Sequence, residues 1–301
     1  MKLPWKSSLV TRLTILLGLT MAALWLLTES AAVFSYYSYY SQARSRILFY
    51  YQTYTEMRAQ LESERFIFAQ NDALRLLNSW REHLSQTPHP HPIDQELSGR
   101  FWAFDDSVTK LSQLTPLAIN TIQFLVGHTI GNQVLYRNSF IIIPNEGIAF
   151  DTLASNHPYV ISHIDELRDL LKQPSSNGYY WGKPYYDQSS NNWCIPVATA
   201  TAFNGQLIYA GYTMHINQLV AENYPIFPGN FSLLFSRDGK LLPILPSSLT
   251  TEEEANLEKQ LASPDAINFN SGNYYVTRAP LKSPPWELVN LYPYLSSIRL
   301  S

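Results

Sequence analysis

Residues Trp193 to Ile216 read WCIPVATATAFNGQLIYAGYTMHI. Two runs rich in β-branched and aromatic residues flank Asn204-Gly205, a dipeptide that tolerates the positive φ angles of a two-residue hairpin turn. Trp193–Phe203 and Gln206–Ile216 are therefore expected to pair as antiparallel strands, which puts an antiparallel sheet at the centre of the fold. Toward the N-terminus, Val134–Ile143 (VLYRNSFIII) reads as a strand that Asn145-Glu146-Gly147 turns into a second, Ile148–Thr152. Helical patterns occupy Leu114–His128 and Tyr159–Lys172.

Toward the C-terminus the same elements return. Phe231–Phe235 and Lys240–Leu245 flank a turn at Asp238-Gly239. A helix is expected over Thr251–Leu261, where a threonine cap precedes a glutamate-rich first turn that suits the helix dipole. Strands at Tyr274–Arg278 and Trp286–Leu291 complete the order. The fold class is thus α+β, with two PAS-like antiparallel-sheet units, 86–227 and 228–301, divided at the proline-rich link YPIFPG, Tyr224–Gly229.

Ahead of these units lies a different texture. Leu13–Thr28, LTILLGLTMAALWLLT, carries no charge and continues past Glu29 through Ala31, Ala32, Val33 and Phe34. About 20 helical residues cross a bilayer core, so 13–34 is long enough to be a transmembrane helix. Lys2, Lys6 and Arg12 precede it, which leaves residues 1–12 in the cytoplasm and sends the rest to the far side. Tyr36, Tyr37, Tyr39 and Tyr40 suit the interface. A cleaved signal peptide is the competing reading, because Ser30-Ala31-Ala32 offers small residues for cleavage. The length of the apolar run and the helical pattern leaving it favour the anchor. Residues 35–85 then read as one long stalk helix without proline, its apolar stripe formed by Ile47, Tyr51, Tyr54, Met57, Leu61, Phe68, Leu76 and Trp80. A helix pair broken at Asn71-Asp72 is the alternative. Gln86–Asp94, QTPHPHPID, ends the helix through its prolines.

Composition excludes several functions. A net charge of -3 with scattered basic residues lacks the footprint of nucleic-acid binding. The single cysteine, Cys194, rules out an internal disulfide and reads as a buried strand residue. His83, His89 and His91 have no carboxylate or cysteine ligand fixed beside them, so no metal and no cofactor is expected. Asp105 and Asp106 are adjacent and would point apart, which removes a carboxylate dyad. No nucleophile elbow, zinc helix, phosphate loop or kinase signature occurs, and no catalytic residue is assigned.

The anchor and long helix, the strand-turn-strand FIIIPNEGIAF, the segment YWGKPYYD (Tyr180–Asp187) and the hairpin end YAGYTMHINQL resemble the extracytoplasmic double Cache (PAS-like) sensor domains of bacterial membrane receptors. Those receptors include sensor histidine kinases and diguanylate cyclases. A looser likeness is to enterobacterial Rcs-type hybrid sensor kinases. The resemblance implies a single anchor in the bacterial inner membrane with the main domain in the periplasm. It also implies a ligand pocket beside the Trp-x-x-Pro-Tyr-x-Asp stretch, here Trp181, Pro184, Tyr185 and Asp187. Two features depart from the family: His215 stands where the hairpin usually ends in aspartate, and the arginine-rich amine-binding signature is not evident.

The residues themselves point to the same pocket, since aromatic rings give flat apolar walls while Asp187 and tyrosine hydroxyls orient a polar ligand. Trp181, Tyr185 and Asp187 are the first candidates. Tyr136 and Arg137, on the strand before, are the second, with Arg137 suited to a carboxylate. The expected function is a periplasmic sensory input module that passes a conformational change to a cytoplasmic output domain lying beyond this chain. The alternative is an anchored interaction protein that binds another envelope protein. A homodimer through the stalk helix is expected in either case. A second apolar run of about 20 residues following Ser301 in the native reading frame would favour the receptor.

Overall fold

The computed structural model describes residues 9–87, 101–103, 114–128, 136–151, 160–173, 175–188, 191–216, 230–236, 239–242, 244, 249–263 and 268–293. His89, His91, Asp105, Asp106 and the link 224–229 lie outside the described residues.

Leu9–Gln86 form one uninterrupted helix, α1, so the chain does not break at Asn71-Asp72. The first compact unit, Met1–Tyr54, is helical throughout its described part. It is long and apolar enough to cross a membrane, with a mean hydropathy of 1.6 in its most apolar window and none of that window buried. Its hydroxyls suit that setting. Thr20 and Thr28 each donate from Oγ1 to the Leu17 and Trp25 carbonyls at 2.8 Å, and Ser30 Oγ donates to Leu26 at 2.6 Å. No water is needed to satisfy them.

The second unit, Thr55–Ser301, holds two antiparallel sheets. The first contains β1 (Phe101–Ala103), β2 (Tyr136–Ile143), β3 (Ile148–Asp151), β4 (Tyr179–Trp181), β5 (Tyr185–Asp187), β6 (Asn192–Phe203) and β7 (Gln206–His215). Their order is β1-β3-β2-β7-β6-β4, with β5 also paired to β6. The second contains β8 (Phe231–Ser236), β9 (Asn268–Ser271), β10 (Tyr274–Pro280) and β11 (Trp286–Pro293), in the order β8-β11-β10-β9. Three further helices are α2 (Pro116–His128), α3 (Val160–Leu171) and α4 (Thr251–Leu261).

The β6-β7 hairpin runs in unbroken register from Cys194↔His215 to Phe203↔Gln206. Asn204 and Gly205 take φ of 47° and 77°, the left-handed pair that a tight turn between twisted strands requires. Thr250 and Glu253 close a capping box at the head of α4. The strand expected at Lys240–Leu245 is reduced, among the described residues, to a single bridge from Phe235 to Leu241.

The stripe that α1 buries keeps Tyr51, Leu76 and Trp80 of the one its sequence suggests and departs from it elsewhere. Ala59, Phe66, Ala69, Ala73, Leu76 and Trp80 are buried, whereas Met57, Leu61 and Phe68 are exposed. Alanine lets sheet and helix backbones approach, so Ala59, Ala69 and Ala73 share the inward face with Phe66, Leu76 and Trp80. One core cluster runs along α1 and joins Ile141, Ile143, Val197 and Ala210 of the first sheet to Leu234, Ala279, Trp286 and Leu288 of the second. The opposite face of the first sheet packs Phe140, Ile142 and Ala198 on Leu167 and Leu170 of α3. The opposite face of the second packs Leu233, Phe235 and Val289 on Leu257 and Leu261 of α4. Each sheet therefore lies between α1 and a helix of its own. Where α1 meets the second sheet the core turns polar: Thr55 Oγ1 lies 2.5 Å from Thr277 Oγ1 and accepts from Asn290 Nδ2 at 2.9 Å.

Candidate functional site

Residues paired across antiparallel strands project to the same face. On the α3 side of the first sheet, Tyr185 is paired with Cys194, Cys194 with His215, Thr213 with Asn138, and Phe140 with Asp151. Asp187, two residues along β5, shares that face. A single irregularity completes the group. Between Tyr136↔Met214 and Asn138↔Thr213 the register shifts, so Arg137 is the extra residue of a β-bulge. The bulge gives Arg137 and Asn138 partners on one cluster: Arg137 Nε sits 2.5 Å from Asp187 Oδ2, and Asn138 Nδ2 donates to Asp151 Oδ2 at 2.5 Å.

The cluster is buried and charged. Asp187 and Asp151 are buried, and Arg137 is mostly so. Burial first, then the neighbouring Cys194, Asp151 and Asp187, push the Tyr185 phenol well above its usual value, so it remains a hydrogen-bond donor. Burial and the Arg137 charge lower His215 against the opposing pull of Asp187, which leaves a neutral imidazole near pH 7. Its Nδ1 lies 3.6 Å from Cys194 Sγ. Thr213 is fully buried, and its Oγ1 has no hydrogen-bond partner among the described residues.

Behind the cluster the hairpin is tightly closed. A Cβ built on Gly211 would lie 2.0 Å from the Val197 carbonyl oxygen and 2.9 Å from Phe140 Cζ, so only glycine fits there.

The structure brings together three of the five residues expected from sequence, Arg137, Tyr185 and Asp187. The other two lie on the α1 face. Tyr136 stacks on Tyr212 with ring centroids 4.4 Å apart and donates its hydroxyl to Asp72 Oδ2 at 2.6 Å. Trp181 is paired with Val197 and donates from Nε1 to Ser283 Oγ at 3.1 Å. Sequence reasoning missed Asn138, Asp151 and Thr213 as members of the group. The alternation of Gly211, Thr213 and His215 along β7 was the signal that could have placed Thr213 beside His215.

No protein-family model matches the chain. Among solved structures, the ligand-binding domain of the Pseudomonas fluorescens chemoreceptor CtaA in complex with L-isoleucine superposes with a TM-score of 0.51 at 15% identity, covering 84% of this chain and 94% of that one. The same domain in complex with L-leucine gives 0.50 at 15% identity, covering 84% and 97%. The chain shares the fold of that ligand-binding domain. The ligand-binding domain of the Pseudomonas aeruginosa PAO1 amino acid chemoreceptor PctC, in complex with GABA, gives 0.46 at 16% identity, covering 80% and 97%. In this chain the polar cluster belongs to the first sheet, and the short segment Trp181–Asp187 reaches both of that sheet's faces.

Proposed function

We propose that the chain is the sensory input module of a bacterial membrane receptor. Residues 13–34 anchor it in the inner membrane, and the two sheet units, 86–227 and 228–301, stand in the periplasm. The first sheet binds a small polar ligand through Arg137, Tyr185 and Asp187, with Thr213 as a further contact. The observation that carries this reading is the Thr213 hydroxyl, buried beside paired charges and without a partner among the described residues. Leaving such a group unsatisfied costs about 1–3 kcal/mol, a cost that a bound ligand relieves. The CtaA domain, of the same fold, was solved with L-isoleucine and with L-leucine, which supports a ligand of metabolite size here. His215 in place of an acidic residue argues for a different polar head group. Binding shifts the second unit, and α1 carries the shift toward the membrane and an output domain beyond this chain.

A thermal-shift screen of residues 35–301 against small metabolites, peptides and divalent metals tests the reading. A ligand present at a hundred times its dissociation constant adds about 2.7 kcal/mol of stability. A selective rise that Asp187→Ala abolishes is the expected outcome. A cooperative melt that no compound raises would transfer the site to a protein partner in the envelope.

A further inference from the structure

Trp181 and Asp187 lie six residues apart in one short segment, yet their side chains serve opposite faces of the first sheet. Asp187 is held by Arg137 in the polar cluster. Trp181 is hydrogen-bonded to the second sheet's β10-β11 turn at the Ser283 hydroxyl oxygen, which also binds Gln70 of α1. That oxygen accepts from Trp181 Nε1 at 3.1 Å and from Gln70 Nε2 at 2.7 Å. All three residues are buried. Around this junction, Phe66 of α1 is packed edge-to-face with Trp181 and with Trp286, both at 5.5 Å. One turn of helix away, Ser63 Oγ accepts the Lys282 amide at 2.9 Å.

Between the two side chains the segment is pinned to β6 at Gly182. A Cβ at Gly182 would lie 2.4 Å from Pro196 Cγ, and the Gly182 amide donates to the Pro196 carbonyl at 2.9 Å. Asp187 thus belongs to a segment whose other end is bonded to the second sheet's turn and packed on Phe66 of α1.

We propose that Trp181, Ser283 and Gln70 form the relay through which the state of the Arg137–Asp187 cluster reaches the second sheet and α1. It rests on reading that cluster as the input. Trp181 is then a positioning residue with no contact to the ligand. The indole N–H and the amide compete for geometry at one oxygen, so a shift of Trp181 changes the Gln70 hydrogen bond and the turn that carries Ser283. Coupling of this kind is an energetic link between two places, and it is measured by whether a change at one alters the response at the other.

The test needs no ligand. Hydrogen exchange by mass spectrometry on the full chain in detergent is followed in the peptide spanning Ala279–Glu287, whose Lys282 amide is bonded to Ser63. Asp187→Asn perturbs the input, and Tyr185→Phe serves as a second, milder input. Either change is expected to alter exchange in that peptide by at least about fivefold, the lower end of ordinary coupling. In a Trp181→Phe or Ser283→Ala background, which removes the donor or the acceptor, the same input change should leave the peptide within about twofold of its background. An equal response in both backgrounds, or none in the unmodified one, overturns the relay. A chain that shows this coupling while no compound raises its melting point would retain the relay and lose the small-ligand reading.

Discussion

At the scale of single residues, the site is a set of buried polar groups whose charge states follow from their surroundings. His215 binds its proton less readily when folded than the 6.5 of free imidazole. Between that pH and its lower folded value, the unfolded chain holds a proton that the folded chain does not. Stability contributed by His215 is therefore complete above about pH 6.5 and is lost as the pH falls through this window. Melting temperatures should drop on acidification, and His215→Gln should flatten part of the slope; an identical slope in the variant would mean that the imidazole is not the titrating group. Gly211 answers to sterics instead. Its replacement by alanine puts a methyl 2.0 Å from a backbone oxygen, and the loss expected in chemical denaturation is about 3 kcal/mol. A loss below about 0.5 kcal/mol would show that the hairpin relaxes around the extra carbon.

At the scale of elements, the strong local signals carried most of the reading. The Asn204-Gly205 turn fixes the β6-β7 register by its own backbone angles, and α4 follows from its cap, so both match expectation closely. The short strands β1, β4, β5 and β9, of three or four residues, do not. A period of two cannot declare itself in three positions, and their pairing is decided by long-range partners. The bulge at Arg137 was invisible for the same reason, and with it the company of Arg137 and Asn138. Helix α1 gave the instructive error. Of the stripe its large apolar residues suggest, Tyr51, Leu76 and Trp80 are buried but Met57, Leu61 and Phe68 are not, and Phe66 with Ala59, Ala69 and Ala73 completes the real one. The large residues left outside are exposed, Met57 at 51%, Leu61 at 48% and Phe68 at 64%. They follow Tyr50 and Tyr54 in steps of three, four and seven, the spacing of a two-helix seam. Two copies anchored in one membrane leave it in parallel, so we read this stripe as a seam for a second copy. Leu61→Glu with Phe68→Glu should turn a dimer into a monomer in sedimentation without lowering the melting point by more than about 1 kcal/mol equivalent. A species of unchanged mass would remove the seam.

At the scale of the whole molecule, one helix serves both sheets and also supplies the apolar span, so three roles are written into a single uninterrupted element. The fold class was legible because anchor, long helix and two rounds of strands each leave a distinct texture in the chain. The face on which the site sits was not, because it depends on which strand meets which. The apolar span holds one more implication. Thr20, Thr28 and Ser30 have committed their protons to carbonyls one turn back on their own helix. A neighbouring span therefore finds no donor to grip on these three groups. Their chemistry leaves the anchor a smooth axle: it resists being pulled out of the bilayer by its greasy surface, but these side chains set no detent against its turning about its own axis.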